Sequence, residues 1–318
     1  MAGELYWGWS IVVHFFLVGL SAGALITSAY LLLRGGRAGT YFQVARYGAF
    51  VAPIPVILDG IVVVTELGSF QAGHWFKFLN LYTTVTASPM SIGAWLVVLF
   101  IVLSLVYAYT FLAKDAAPGD RFDTLRRTMA WVGMPLAIAV GFYPGMILSV
   151  MQSRPLWNSS VLPIVFVLSA LSMGIACIVL ARILTPMKAG DTKAESEYRT
   201  NNYVLTTSNV VVLSTVLLLV FLFAMLAQRA VGGVSEAISV ILTGGGLAMA
   251  FWLGVVVIGL LVPIIVGLVS VFPRLIQGKE YAVSRAVEVI VPIAVLIGAF
   301  ILRYVMVVAG QITGPVGI

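Results

Sequence analysis

Five side chains carry most of the chemistry in an otherwise oily sequence: His14, Asp59, Glu66, Tyr143 and Arg303. Each falls within or at the edge of a long apolar run. Imidazole titrates near neutral pH and exchanges protons through either ring nitrogen. A phenol donates a hydrogen bond to a carbonyl oxygen, and a carboxylate withdrawn from water relays protons. Asp59 and Glu66 are seven residues apart, nearly two helical turns, so a helix presents them on one face. An ionisable group in mid-bilayer costs roughly 2.5–3.5 kcal/mol and marks a functional position by default. Each residue also has a plainer reading. His14 and Tyr143 suit a membrane interface, Glu66 a side chain reaching toward the surface, and Arg303 an ion pair with Glu66 that ties two helices together. The functional reading rests on their convergence.

The surrounding sequence is that of an integral membrane protein. Of 318 residues, 61% are hydrophobic and 9% charged, and the mean hydropathy is +1.09. A water-soluble domain of this size needs far more charge on its surface. The formal charge of +6 does not point to nucleic acid, because the basic residues are spread over the connections between apolar runs. Cys177 is the single cysteine, so this sequence alone offers neither a disulfide, an iron–sulfur centre nor a cysteine-based zinc site. Of the two histidines, His74 falls in a connection, so two b-type haems are excluded and one is not expected.

A span needs about 20 mainly apolar residues. The runs predict an all-α polytopic protein with eight transmembrane helices, near 9–33, 46–68, 89–112, 128–150, 161–183, 208–229, 244–271 and 285–310. The long polar stretch 184–207 reads as a connecting loop. Eight spans allow two four-helix bundles: an N-terminal one, 1–183, with the reactive residues, and a C-terminal one, 184–318. Fourteen of the 18 basic residues fall in alternate connections, leaving Lys77, Arg154, Arg229 and Arg303 toward the other side. The positive-inside rule then places both termini outside the membrane. This topology brings His14, Glu66, Tyr143 and Arg303 to similar depth near the outer surface and sets Asp59 deeper. No basic residue precedes the first apolar run, so that run is expected to be a retained span.

The stretch FYPGMILSVMQSRPLWN, residues 142–158, places Pro144 and Gly145 inside the fourth span, directly after Tyr143. A proline in a helix interior removes one hydrogen bond, at about 3 kcal/mol in water, and survives in a bundle where neighbours satisfy the freed carbonyl. The expectation is a kink that turns Tyr143 into a pocket, followed by a compact turn with Arg154, Trp157 and Asn158 at the outer surface. The plainer reading is an ordinary transmembrane proline. Gly19 and Gly23 form a GxxxG pattern suited to close helix contact. Ser88 and Pro89 read as a helix cap and first turn, and Trp75, Phe76 and Lys77 as an interfacial anchor.

Four segments, HFFLVGLSAGA (14–24), SPMSIGAW (88–95), YPGMILSVMQSRPLWN (143–158) and ILRYVMVVAGQ (301–311), resemble the NrfD-like family. Members of that family are membrane subunits of polysulfide reductase and related molybdopterin or multihaem respiratory complexes. The resemblance implies a subunit of the prokaryotic cytoplasmic (inner) membrane with no haem or metal of its own. It would bind a quinone, menaquinone or ubiquinone, near the outer surface. Electrons would pass between the quinone pool and an iron–sulfur subunit docked there, with a molybdopterin or other catalytic subunit beyond it. The positions that match are His14, Glu66 and Tyr143, with Asp59 on the same helix face as Glu66 and Arg303 in a matching block. Proton translocation is a further possibility of such a subunit. Relatives can carry an amide one turn before the histidine, where this sequence has Ile11. Two other classes compete with this one: a secondary transporter or ion channel, which also uses broken helices and buried carboxylates but should show paired interrupted helices in two halves, and a purely structural anchor, which needs neither Asp59 nor His14.

Overall fold

The computed structural model describes residues 7–36, 39–67, 75–83, 88–113, 116–184, 192–230 and 233–314. Those residues are helices and their connections, and eight helices are long and apolar enough to cross a membrane. The first span is α1 (Trp9–Arg34). The second is jointed: α2 (Phe42–Val51) passes through Ala52 into α3 (Pro53–Leu67), and the joint coincides with Pro53 and Pro55. A 3₁₀ turn (Trp75–Leu79) and α4 (Asn80–Thr83) precede the third span, α5 (Pro89–Tyr109). Ser88 caps α5 by accepting the Ser91 N–H at 3.1 Å, with Pro89 in the first turn.

The fourth and fifth spans are α6 (Asp123–Ser149) and α7 (Val161–Ile183), and the sixth is α8 (Thr192–Arg229). A short helix α9 (Gly233–Leu242) leads to the seventh span. That span consists of α10 (Gly245–Met249), a π-wound segment (Ala250–Leu261) and α11 (Val262–Gln277), and the eighth is α12 (Arg285–Ile312).

One feature differs from the sequence reading. Residues 192–207 are not a loop: α8 extends through them. Their polar side chains are helix-compatible, and Glu195 and Arg199 form an i,i+4 ion pair at 2.7 Å. The polar extension is also anchored, because Asn202 and Tyr198 bond to Glu288 of α12. Helix α6 runs through Pro144 to Ser149, in line with the span expected to end near residue 150. Tertiary packing supports that turn, with Tyr143, Pro144 and Gly145 all buried.

Helix α1 is the central element, packed on α2, α3, α6, α7 and α12. Its small residues permit this. A Cβ on Gly23 would collide with the Ala170 carbonyl, and one on Gly174 with the Gly23 backbone, so α1 and α7 cross with their backbones in contact. The other glycine of the pattern does something else: Gly19 makes room for the Arg303 guanidinium. The first and last spans end together, because the Trp7 N–H donates to Gln311 Oε1 at 2.8 Å and Gln311 Nε2 donates to the Trp7 carbonyl at 2.9 Å.

Candidate functional site

Helix register brings the reactive pair together. The Ser21 hydroxyl of α1 donates to the Ala52 carbonyl at the joint of the second span. Ser21 lies seven residues after His14, and Ala52 lies seven residues before Asp59. The helices run antiparallel, so two turns along each from that contact lead to the same level. There His14 Nδ1 and Asp59 Oδ1 are 2.7 Å apart, the length of a charge-assisted bond when the Nδ1–H donates to the carboxylate. Asp59 is therefore not deeper than His14 but directly beside it. It is fully buried, and among the described residues its second oxygen, Oδ2, has no hydrogen-bond partner.

These groups face a cavity of about 400 Å³ bordered by α1, α3, α4, α5 and α6. His14, Asp59 and Tyr143 all line it. The ring of Tyr143 meets that of His14 edge-on, with centroids 6.0 Å apart. Tyr143 is held there by absence on one side and contact on the other. Gly93 of α5 leaves the space its ring occupies, and Gly145 allows the start of α7 at Leu162 and Pro163 to approach α6 closely. The remaining walls are largely apolar, with Ile11, Val62, Val97 and Ile101 among them.

Sequence reasoning missed Tyr82, which also lines the cavity. It sits on α4, edge-on to Trp95 with centroids 5.4 Å apart. Burial, and then the negative charge of Asp59, push its phenol upward, so it remains a proton donor. The available signal was a short aromatic segment just before the Ser88 cap, which reads equally well as an interfacial connection. Trp7, just before the start of α1, is another missed wall residue.

Arg303 is not among the residues lining the cavity. It is 1% exposed and lies between α1, α7 and α12. Its Nε donates to the Phe15 carbonyl at 2.9 Å, and its Nη1 donates to the Ala299 carbonyl at 2.9 Å and to Ser169 Oγ at 3.2 Å. It supports the back of α1, one residue from His14. The side chains of Glu66, Trp75 and Lys77, and the whole of His74, lie outside the described residues.

The turn after α6 works inward. Arg154 donates to the carbonyls of Gly310, at 3.2 Å, of Gln311, at 2.6 Å, and of Gly314, neutralising the carbonyl end of α12. Trp157 is buried, donates from Nε1 to the Met306 carbonyl at 2.7 Å, and stacks on Trp7 with centroids 5.2 Å apart. The block thus fastens the end of α12 to the cavity wall. Asn158 is exposed.

An eight-span helical bundle with a buried histidine–carboxylate pair at a largely apolar cavity defines a polytopic membrane protein. The chain belongs to the polysulphide reductase NrfD family, whose model matches residues 1–315. It is 29% identical to a polysulfide reductase polypeptide of Wolinella succinogenes, over 96% of this chain and 94% of that one. It is 28% identical to protein NrfD of Escherichia coli, over 98% and 96% of the two sequences. A shorter match, 28% identical over 58% of this chain and 44% of the other, joins it to a putative dimethyl sulfoxide reductase membrane subunit of Halobacterium salinarum.

Proposed function

We propose that this protein is the quinone-reactive membrane subunit of a respiratory oxidoreductase, exchanging electrons between the membrane quinone pool and an iron–sulfur partner subunit. One observation carries the reading: a buried His14–Asp59 pair with a free carboxylate oxygen opens, with Tyr143, into a largely apolar cavity. The donor set fits a quinone, which has two carbonyl oxygens on a flat ring and an isoprenoid tail. When bound, menaquinone or ubiquinone would supply a two-electron, two-proton couple.

His14 and Asp59 form one proton-exchanging unit. The Asp59 carboxylate fixes the imidazole orientation, and the ring can pass a proton through either nitrogen. The phenols of Tyr143 and Tyr82 offer hydrogen bonds that orient a carbonyl ligand. Trp7 and Phe15 keep water out. Glu66, further along α3, would extend the acidic track toward the helix end. Arg303 enters as support for α1. The reactive residues belong to the N-terminal bundle, 1–183, with 184–318 as the second bundle.

The names of the relatives support a reductase complex as the setting. The distribution of basic residues supports a cavity end on the outer face of a prokaryotic cytoplasmic membrane, where the iron–sulfur subunit docks and a molybdopterin or other catalytic subunit follows. The test uses the purified complex. His14→Ala and Tyr143→Phe should abolish quinol-dependent turnover while the complex assembles, and mass spectrometry of extracted lipids should find quinone. Full quinol turnover in both variants overturns the reading.

A further inference from the structure

The opposite end of the bundle holds a second cavity of about 410 Å³. It lies where α7 ends, beside the first turns of α8 and α12. Each of these helices contributes one arginine to its lining: Arg182, Arg199 and Arg285. Arg182 is the informative one. It is only 6% exposed, stacks over the Tyr198 ring at 4.5 Å, and donates from Nη1 to Asn202 Oδ1. Among the described residues it forms no ion pair with a carboxylate. Glu288, which also lines the cavity, is occupied elsewhere: it accepts from Tyr198 Oη at 3.0 Å and from Asn202 Nδ2 at 2.7 Å. Arg199 is paired with Glu195 at 2.7 Å and Glu280 at 3.4 Å, so it contributes least. Arg285, exposed at the rim, gives one N–H to the Ile183 carbonyl at 3.3 Å. The start of α12 adds the partial positive charge of a 28-residue helix.

A guanidinium buried to this degree without a carboxylate ion pair suits an anion. We propose that this cavity binds the phosphate headgroup of a membrane glycerophospholipid, with Arg182 and Arg285 as the phosphate ligands. Two features favour a lipid over free phosphate. The cavity volume is more than ten times the ~30 Å³ share of one water in the liquid, and Ile183, Ala282 and Val283 make part of its wall apolar. Leu184, 84% exposed, directly follows the lining residue Ile183 and offers an apolar surface for an acyl tail. Basic pockets between spans at the Lys/Arg-rich side of a membrane protein are recurrent headgroup sites. The lipid would join α7, α8 and α12 from outside, and this inference is independent of the quinone reading.

The test measures phospholipid retained per protein by native mass spectrometry after detergent delipidation of the purified complex. It also measures thermal stability on adding back phosphatidylglycerol or phosphatidylethanolamine vesicles, diacylglycerol, or inorganic phosphate. The expected result is one retained phospholipid, with retention lowered at least about tenfold by Arg182→Gln and by Arg285→Gln. Retention should be partly kept in Arg182→Lys and unchanged in Arg229→Gln at the other end of the bundle. Restabilisation should need a phospholipid. Equal retention in the wild type and both glutamine variants overturns the proposal, as does equal stabilisation by diacylglycerol or by inorganic phosphate. If Arg182→Gln does not fold, the rim variant Arg285→Gln decides.

Discussion

The ring of Tyr143 fills the space that a side chain at Gly93 would need. One hydrogen atom on α5 therefore sets the position of a phenol on α6. Gly93→Ala should push the ring away from its edge-on contact with His14, at an overpacking cost of about 1–3 kcal/mol. Quinol turnover should fall further than thermal stability does. Adding Tyr143→Phe to that variant should not restore its thermal stability, because the ring and not the hydroxyl collides. Steady-state kinetics beside melting curves of the purified complex check this.

His14 and Asp59 act as a unit, so their substitutions should not add. His14→Ala and Asp59→Asn should each lower quinol turnover by about 10²-fold or more, and the double variant should be little worse than either single one. Independent, multiplicative losses in the double-mutant cycle would show that the 2.7 Å contact does not couple the two groups.

Arg154 and Trp157 should report on stability first. Arg154→Ala frees the carbonyl end of α12 and should cost about 1.5–3 kcal/mol. Trp157→Phe, which keeps the stack on Trp7 but loses the bond to Met306, should cost about 1 kcal/mol. Chemical denaturation in mild detergent measures both. If Arg154→Ala leaves stability unchanged and abolishes partner binding instead, the turn faces the partner and not α12.

Asp120, in the connection before α6, gives a pH prediction. Burial pushes its carboxyl up. The hydrogen bond from Arg126, the Ala117 N–H, the Arg126 charge and the Phe122 N–H outweigh that and hold it below the usual carboxylate value of 3.8. The folded state thus binds its proton less readily than the unfolded state. The bridge stabilises fully above that ordinary value and is lost as pH falls through the lower folded one. Asp120→Asn should be less stable than wild type by about 1.5–3 kcal/mol at neutral pH, with the difference vanishing in strong acid. Melting temperatures across a pH series check the convergence.

Much of this architecture was legible in residue types. Apolar length located the eight spans, and the polar exceptions His14, Asp59 and Tyr143 mark the cavity lining. What escaped was what depends on neighbours. The depth of Asp59 follows from the Ser21–Ala52 contact, which no single-helix pattern contains. Arg303 is grouped with the site because it falls in a block resembling the family, with an ion pair to Glu66 as its plainer reading. Its hydrogen bonds go instead to Phe15, Ala299 and Ser169, reached through the gap at Gly19. The polar stretch at 192–207 lacks the apolar period of a buried helix, and its packing partners, Arg182 and Glu288, are distant in sequence.

The clasp between Trp7 and Gln311 has a consequence for biogenesis. Trp7 is synthesised 304 positions before Gln311. Its backbone is thus clasped only once α12 has been inserted, and a nascent polypeptide stalled before α12 carries His14 and Asp59 in a chamber with one wall unfastened. Insertion of α12 is built into the geometry as the step that closes the site.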